Sequence, residues 1–214
     1  MDNEQWQRLE RCLHMLPEDF VERNPALLVL ESWLHHARQN LSGMVSCLKM
    51  IEAFNATAPP GLWVNAKHVQ GHLEAQRGFI HYMEAEGESA LASSRLALRD
   101  IPRHHKRARL FADIYQLGAY QMTGDLETGL SIYQKSMKRY AERDRIYQAA
   151  YLGNLGLVYW MDANLITLQQ SAESLLDALK EHPRHPMASY GLYLLGITLY
   201  HRNELHNACF ARLC

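Results

Sequence analysis

Histidine is the residue type in this sequence that most readily suggests chemistry, because the chain contains 12 histidines. His68 and His72 stand four residues apart on one face of a predicted helix, with Glu74 close by. A zinc site needs three or four convergent ligands held by outer hydrogen bonds, and an isolated pair at this spacing is common by chance. The adjacent pairs His35-His36 and His104-His105 point to different sides of a helix. We therefore predict no metal and no cofactor.

Reactive side chains of other kinds are not arranged for catalysis. The sequence contains no serine-, cysteine- or aspartate-centred nucleophile motif, and without a Gly-Lys dipeptide it has no Walker-type phosphate loop. Cys12 and Cys209 have apolar neighbours and are expected to be buried rather than reactive. The prediction is that the chain is not an enzyme. A pH-sensing role for the histidines stays open, since unperturbed histidine titrates near pH ~6.5, but nothing in their spacing selects it.

One basic cluster, the run Arg103–Arg109, opens a predicted helix, where positive charge opposes the helix dipole at a cost of about 0.3–1 kcal/mol. Such a run is typical of contact with an anion or an acidic partner, or of a solvated helix start paired with Asp100 and Asp113. The second interpretation is the simpler one. The formal net charge of −1 lacks the basic excess of a nucleic-acid binder, and no aromatic residue interleaves the run. Direct nucleic-acid binding is therefore not expected.

Composition limits the elements that could position these residues. Leucine occurs 32 times, whereas valine and isoleucine together occur 14 times, which is far fewer than a sheet protein needs. The 214 residues, 48% hydrophobic and 21% charged, suffice for a packed core. Cys12, Cys47, Cys209 and Cys214 follow no paired spacing, and the sequence does not open with a signal-peptide pattern. The prediction is an all-α, cytoplasmic protein with reduced thiols and no membrane helix.

All seven prolines stand where a helix would begin or end, and between them apolar residues recur at steps of three and four. Short joints rich in turn residues force consecutive helices to lie antiparallel. The predicted helices are Glu4–Leu16, Pro25–Gln39, Leu41–Phe54, Leu62–Glu86, Glu88–Leu98, His104–Thr123, Asp125–Ala141, Arg143–Met161, Leu165–Glu181, Pro186–Arg202 and a last helix from Glu204 to the end.

The joints recur at a nearly fixed period. The first apolar residues after three late turns, Leu126, Leu165 and Leu205, are almost evenly spaced along the sequence. Gly156 stands nine residues before Leu165, and Gly196 stands nine residues before Leu205. Self-similarity with a period of about 40 residues is the signature of stacked helix pairs. We predict an α-solenoid of about five antiparallel helix pairs, that is, a tetratricopeptide-like superhelix.

Glycine is frequent inside the predicted helices, where each one costs about 0.5–1 kcal/mol relative to alanine. Close packing of a neighbouring helix against the missing Cβ would offset that cost. Gly156 and Gly196, at matching places in their repeats, are the best candidates for such packing. The helical glycines are Gly71, Gly78, Gly118, Gly129, Gly153, Gly156, Gly191 and Gly196.

The opening of the sequence resembles a known family. The segment Leu13–Phe20 is followed by Asn24-Pro25-Ala26-Leu27 and then by Glu31-Ser32-Trp33. This order is similar to the start of the superhelical repeat domain in the MalT-like, LuxR-type ATP-dependent transcriptional regulators. The resemblance implies an entry helix and connector over 1–24 and tetratricopeptide-like repeats over 25–214, truncated at the C-terminal end. The nucleotide-binding and DNA-binding parts of that family are not expected in this chain.

In that family the repeat module senses a small inducer or a protein partner. The resemblance therefore implies a regulatory module that binds a ligand or a partner. The alternative is a stand-alone tetratricopeptide-like scaffold for protein–protein contact. The final stretch Leu205–Cys214 stops on apolar residues, which predicts either a frayed helix or a contact with another chain, so a homo-oligomer stays open.

The first helix of each pair lines the inner surface of a hairpin solenoid. In the register of Gly156 and Gly196, that surface carries aromatic rings, amides and one ion pair, which suit a sugar-like or peptide ligand. The simpler alternative is that the aromatic residues pack between helices. The candidate ligand-binding residues are Glu74, Arg77, His81, Tyr115, Gln121, Asn154, Trp160, Tyr190 and Tyr193.

Overall fold

The computed structural model describes residues 3–57, 67–141 and 144–204, and every regular element within these ranges is an α-helix. In this part of the chain, no helix combines the length and the apolar character needed to cross a bilayer. The helices of the described ranges are α1 (Asn3–His14), α2 (Glu18–Glu22), α3 (Pro25–Ala37), α4 (Leu41–Thr57), α5 (Lys67–Met83), α6 (Gly87–Asp100), α7 (Lys106–Met122), α8 (Leu126–Ala141), α9 (Arg145–Met161), α10 (Leu165–Ala178) and α11 (Pro186–His201).

The helices predicted from proline positions and apolar spacing are confirmed, with differences at their ends. Part of the predicted connector, Glu18–Glu22, forms the short helix α2. Helix α10 ends at Ala178 rather than at Glu181, because the chain turns ahead of Pro183 and a residue before proline disfavours the helical conformation. The start of the predicted helix Leu62–Glu86 and nearly all of the predicted last helix lie outside the described residues.

One kind of turn closes the first helix of several pairs. In these turns one residue has a positive φ, and the backbone amide of the residue after it donates to the carbonyl five residues before that amide, as in a Schellman motif. The residues with positive φ are Gln39, Ala85, Ala163 and Asn203. These N–H···O distances are 2.8–2.9 Å. Gly124, with φ of 81°, occupies the same place between α7 and α8. From Ala85 onward these turn residues are almost evenly spaced along the chain, which confirms the predicted period.

The chain forms two compact units, Met1–Thr123 (unit 1) and Gly124–Cys214 (unit 2). In unit 1, α3, α5 and α7 lie in contact side by side, and we call these three the first-helix layer. Helices α4 and α6 pair with α3 and α5, and α6 also packs against α7. Leu28, Ile51 and Leu73 are among the buried residues that join the two layers.

Unit 2 is built on the same plan. Helix α9 pairs with α10, α10 packs on α11, and α11 contacts α9. Leu168, Leu175 and Leu194 are fully buried. The rings of Tyr133 and Tyr151 are 5.0 Å apart, and the Tyr133 hydroxyl donates to the Tyr151 carbonyl over 3.3 Å.

Close packing against helical glycines is confirmed at six of the predicted positions and is wrong at Gly196; the six are Gly71, Gly78, Gly118, Gly153, Gly156 and Gly191. A Cβ on Gly71 would lie 2.7 Å from the backbone nitrogen of Ile101. A Cβ on Gly156 would lie 2.6 Å from Cδ1 of Leu194, as the repeat register predicts. A Cβ on Gly196, its counterpart one repeat later, would have no atom of a described residue within 4 Å apart from those of its own helix.

Candidate functional site

Side chains from all three helices of the first-helix layer meet in one place. Helix α3 contributes Trp33 and His36, α5 contributes Phe79, and α7 contributes Phe111 and Tyr115. The ring centroid of His36 is 4.5 Å from that of Phe111, 4.8 Å from that of Phe79 and 5.3 Å from that of Trp33. Phe111 is stacked on Tyr115 at 6.2 Å. We call these five residues the aromatic cluster.

Burial keeps the histidine of the aromatic cluster neutral. His36 is 7% exposed, its Nε2 atom is hydrogen-bonded with the Tyr115 hydroxyl, and its Nδ1 has no hydrogen-bond partner among the described residues. Burial first, and the charge of Arg107 second, lower the pKa of His36 to about 4. Burial also raises the pKa of the Tyr115 phenol. Both side chains are therefore uncharged at neutral pH.

A chain of hydrogen bonds leads from Trp33 to the start of α7. The indole N–H donates to Nδ1 of His72 over 3.1 Å, and because an indole nitrogen only donates, this Nδ1 is unprotonated. The Nε2–H of neutral His72 then donates to Nδ1 of His105 over 3.0 Å. Burial lowers the pKa of His72 to about 4, with smaller contributions from His105 and His68. Both ring nitrogens of His72 are thus engaged inside unit 1.

Arg77 connects α4 and α5 through two carboxylates. Its guanidinium binds Glu52 at 2.5 Å and also Glu74, which lies one turn away on α5. Although burial opposes its charge, hydrogen bonds to Glu52 and Glu74 raise the pKa of Arg77. The Arg77 side chain is still 32% exposed, so solvent reaches this ion pair. The Glu74 carboxylate is therefore paired with Arg77 and does not form a set of metal ligands with His68 and His72.

The other predicted ligand-binding residues of unit 1 have different surroundings. His81 is half-buried and its Nδ1 lies 2.7 Å from a carboxylate oxygen of Glu86. Gln121 is half-buried near the end of α7. Tyr115 is only 6% exposed, so its predicted place on an open inner surface is wrong. The reason is that three helices close around its ring, and His36 takes its hydroxyl.

Unit 2 carries the remaining four predicted residues. Asn154 donates from Nδ2 to the carbonyl of Ala150 on its own helix over 2.8 Å. Tyr190 and Tyr193 stack with their centroids 6.2 Å apart on α11, and Tyr193 is 56% exposed. Trp160 is 38% exposed near the end of α9. Trp160 and Tyr193 therefore present accessible rings, whereas the amide of Asn154 is used within its helix.

The basic run Arg103–Arg109 takes part in packing. Arg107 lies over the Trp6 ring at 4.8 Å, which connects α7 to α1. The guanidinium of Arg109 donates to two carbonyls at the end of α6 over 2.8 and 2.5 Å. Asp100 pairs with the arginine that precedes it, at 2.7 Å, so its predicted pairing with the run is wrong. Arg107 and Arg109 therefore contribute to packing, whereas Arg103, His104 and Lys106 at the start of the run are exposed to solvent.

A cleft of about 520 Å3 opens between α1, α2, α3 and α4 of unit 1. Glu31, His35 and the buried thiol of Cys47 lie on its wall. Burial, and secondarily Glu31, raise the pKa of Cys47 to about 12, so its thiol is protonated at neutral pH. Cys12 is exposed, which corrects the expectation that it is buried, because its helix turns that side to solvent. Cys209 lies outside the described residues.

The sequence contains a spacing pattern that indicates the aromatic cluster and that the candidate residues above do not include. Two ring-bearing residues three or four positions apart recur on each helix of the first-helix layer, and such residues share one helix face. The pairs are Trp33 with His36, Phe79 with Tyr82, and Phe111 with Tyr115. The spacing identifies the face, but the buried members depend on how three helices pack together.

Antiparallel helix pairs that repeat at a nearly constant period point to a known class of fold. No protein-family model matches the sequence, and no curated protein has a significantly similar sequence. The fold is similar to that in the crystal structure of the apo form of RapI, with a TM-score of 0.61 at 11% sequence identity. The match covers 87% of this chain and 67% of that one. The chain is an all-α, tetratricopeptide-like helical-repeat protein in its described part.

Proposed function

We propose that this chain is a tetratricopeptide-like interaction scaffold that binds a segment of a partner protein on the first-helix layer of unit 1. The observation that carries the proposal is the tetratricopeptide-like fold, in which α3, α5 and α7 lie side by side and share one face. Helix-pair repeats of this kind bind partners on such extended faces.

Half-buried side chains of that layer offer both contact area and charge. Phe79, Tyr82 and Phe111 each expose part of a ring, and Arg77 lies between two carboxylates. Aromatic rings supply area at a low cost in side-chain entropy, and a partly exposed ion pair orients a bound group. A peptide segment with an apolar side chain next to a charged one matches this surface.

A narrower hypothesis is that the scaffold is the regulatory module of a MalT-like, LuxR-type regulator. It rests on the resemblance at the N-terminal end, where Asn24 caps α3 by accepting from the Ala26 amide over 3.2 Å and Trp33 joins the aromatic cluster. The fold comparison favours the interaction scaffold. A nucleotide-binding module encoded upstream and a helix-turn-helix encoded downstream would support the regulator, and unrelated flanking sequences would contradict it.

The scaffold is tested by selecting peptides against the full chain. A displayed random-peptide library is panned on the immobilised protein, and affinities of the selected peptides are measured by fluorescence anisotropy. Arg77→Gln is expected to weaken binding about tenfold, which corresponds to about 1.4 kcal/mol. Arg99→Gln is the matched control, because Arg99 lies on α6, outside the first-helix layer, and is 67% exposed. Equal weakening by both substitutions, or the selection of no peptide, contradicts the proposal.

Two further measurements separate the alternatives. Trp160→Ala is expected to abolish ligand binding and leave thermal unfolding unchanged if unit 2 contributes to the site, whereas a loss of stability alone would identify Trp160 as a packing residue. A thermal-shift screen with oligosaccharides and small metabolites tests for an inducer, since a ligand stabilises the folded state by RT ln(1 + [L]/Kd).

A further inference from the structure

Three donors of different chemistry meet in the cleft between α1, α2, α3 and α4. Glu31 and His35 lie one turn apart on α3, and Cys47 lies on α4. One ligand atom from each residue lies within 4.8 Å of the other two. We propose that these three residues bind a zinc ion. This site is separate from the proposed peptide surface, and it differs from the prediction that no metal binds.

The donor set is one that zinc accepts. Thiolate, imidazole and carboxylate all bind Zn2+, at about 2.0–2.3 Å, whereas Mg2+ and Ca2+ take oxygen donors. Three protein donors with a fourth position open to water are typical of zinc sites that exchange a ligand. The donors lie on the wall of a cleft of about 520 Å3, so an ion and its water can enter from solvent.

The position of the imidazole depends on a glycine. A Cβ on Gly43 would lie 2.5 Å from Nδ1 and 2.6 Å from Cε1 of His35, so a larger residue there would displace the ring. Asn40 holds the same ring, because its Nδ2 lies 3.1 Å from Nδ1 of His35. Nε2 consequently lies toward Glu31, 4.0 Å from the carboxylate oxygen. The ring is thus held in place before any ion arrives.

Charge in the cleft favours a cation. Its lining includes the carboxylates of Glu18, Glu22 and Glu31, and none of the described residues that line it is a lysine or an arginine. Binding of Zn2+ forms a bond to the sulfur of Cys47 and releases the thiol proton to solvent. The ion therefore adds positive charge where acidic side chains are gathered, and it turns a thiol into a bound thiolate.

Binding through Nε2 requires one rearrangement at Asn40. The Oδ1 atom of Asn40 accepts from the Gly43 amide over 3.1 Å as a cap of α4, so its Nδ2 donates to Nδ1 of His35 and the proton of His35 is on Nε2. Coordination moves that proton to Nδ1, which then needs an acceptor, as metal-bound histidines do. Asn40 is exposed and can turn its amide to supply the oxygen.

Asn40→Asp removes the need for this rearrangement. Aspartate caps a helix about as well as asparagine, and its carboxylate only accepts, so it suits a His35 ring with its proton on Nδ1. Outer partners of metal-bound histidines change metal affinity by about 10- to 100-fold. We expect Asn40→Asp to bind the metal about tenfold more tightly, a gain that a merely structural role of Asn40 does not predict.

The experiment uses Co2+ as a spectroscopic probe for the zinc site in the full chain. The substitutions Cys12→Ser, Cys209→Ser and Cys214→Ser leave Cys47 as the sole thiol. In this chain we expect a near-ultraviolet thiolate-to-cobalt band that saturates at one equivalent and is displaced by Zn2+. Glu31→Gln is expected to weaken binding about tenfold. Glu86→Gln, in the separate cluster of half-buried His81 with exposed Glu84 and Glu86, is the control and leaves the titration unchanged.

Two results overturn the proposal directly. One is the absence of the band when Cys47 is the sole thiol, and the other is a band that persists after Cys47→Ser. Circular dichroism checks that the Cys47→Ser chain is folded. If the Cys47→Ser chain is not folded, a Co2+ affinity that stays the same in both the Asn40→Asp and the Glu31→Gln variants overturns the proposal equally.

Discussion

Unit 1 and unit 2 are built from the same helix pairs, but they differ in the polarity of their interiors. Among the described residues, the buried polar side chains of unit 2 are Ser171 and Thr198. Those of unit 1 are Ser32, His36, Gln76, Ser93, Ser94, Asp113 and Gln116. One repeat plan therefore accommodates an almost purely apolar interior and a markedly polar one.

The two interiors also differ in how their polar groups are satisfied. In unit 2, Ser171 and Thr198 donate to backbone carbonyls over 2.9 Å each. In unit 1, the amide of Gln76 and the hydroxyl of Ser94 have no hydrogen-bond partner among the described residues. An unpartnered buried polar group costs about 1–3 kcal/mol, and such departures from good packing concentrate at functional sites. Both proposed sites lie in unit 1.

Lowering the pH should produce the largest difference in stability between the two units. The folded-state pKa values of His36 and His72 are lowered from 6.5 to about 4, so the unfolded chain takes up protons first as the pH falls. Their stabilising contribution is complete above pH 6.5 and is lost as the pH falls from there through 4, by roughly 3 kcal/mol for each histidine. Hydrogen exchange followed by mass spectrometry should show α3 and α5 losing protection over this range while α9 and α10 keep theirs. Parallel losses in both units would contradict the contrast.

A methyl group added at Gly71 in unit 1 should destabilise the protein more than one added at Gly153 in unit 2. The Cβ of Gly71→Ala meets the backbone nitrogen of Ile101 at 2.7 Å, whereas that of Gly153→Ala meets the terminal methyl group of Met187 at 2.6 Å. Backbone cannot move aside as a flexible side chain can. We expect Gly71→Ala to lower the free energy of unfolding by about 2–3 kcal/mol. Gly153→Ala should be nearly neutral, since the gain in helix propensity of about 1 kcal/mol offsets the crowding. Urea unfolding measures both changes, and similar values for the two would refute the distinction.

Two serine substitutions should have effects of opposite sign. Ser94→Ala removes a buried hydroxyl that has no hydrogen-bond partner in the part of the chain that the structure describes, and it should stabilise unit 1 by about 1 kcal/mol. Ser171→Ala removes a hydroxyl bonded to the Leu152 carbonyl and should destabilise unit 2 by about 1 kcal/mol. The chemical change is identical, so the unfolding free energies of the two variants compare only the surroundings. The same sign for both would show that the Ser94 hydroxyl is satisfied in solution.

Removing a surface ion pair from each unit should give the smallest difference in the free energy of unfolding. Arg77 binds two carboxylates, and its replacement by glutamine should lower the free energy of unfolding by about 1 kcal/mol or less. Lys180→Gln should have almost no effect, because Lys180 and Asp177 are both 64% exposed and 3.5 Å apart. Urea titrations of the two variants check this. A large loss with Arg77→Gln would mean that its effect on peptide binding reports unfolding.

Much of the fold could be predicted because its rules are local. Pro25 and Pro186 begin helices as their position in the sequence predicts, and Asn164 caps α10 by accepting from the Thr167 amide. The spacing of Leu126 and Leu165 predicts the repeat period, since each turn is fixed by the few residues within it. Helix positions, antiparallel pairing and the all-α class therefore follow from the sequence alone.

Only the tertiary structure decided which side chains meet and which are buried. His36 and Tyr115 are hydrogen-bonded although 79 residues separate them, and Trp33 meets His72 across 39 residues. Cys47 reaches Glu31 and His35 only after α3 and α4 have packed. Burial and pKa values depend on neighbours contributed by several helices, and helical periodicity shows the face of a residue without showing what covers it.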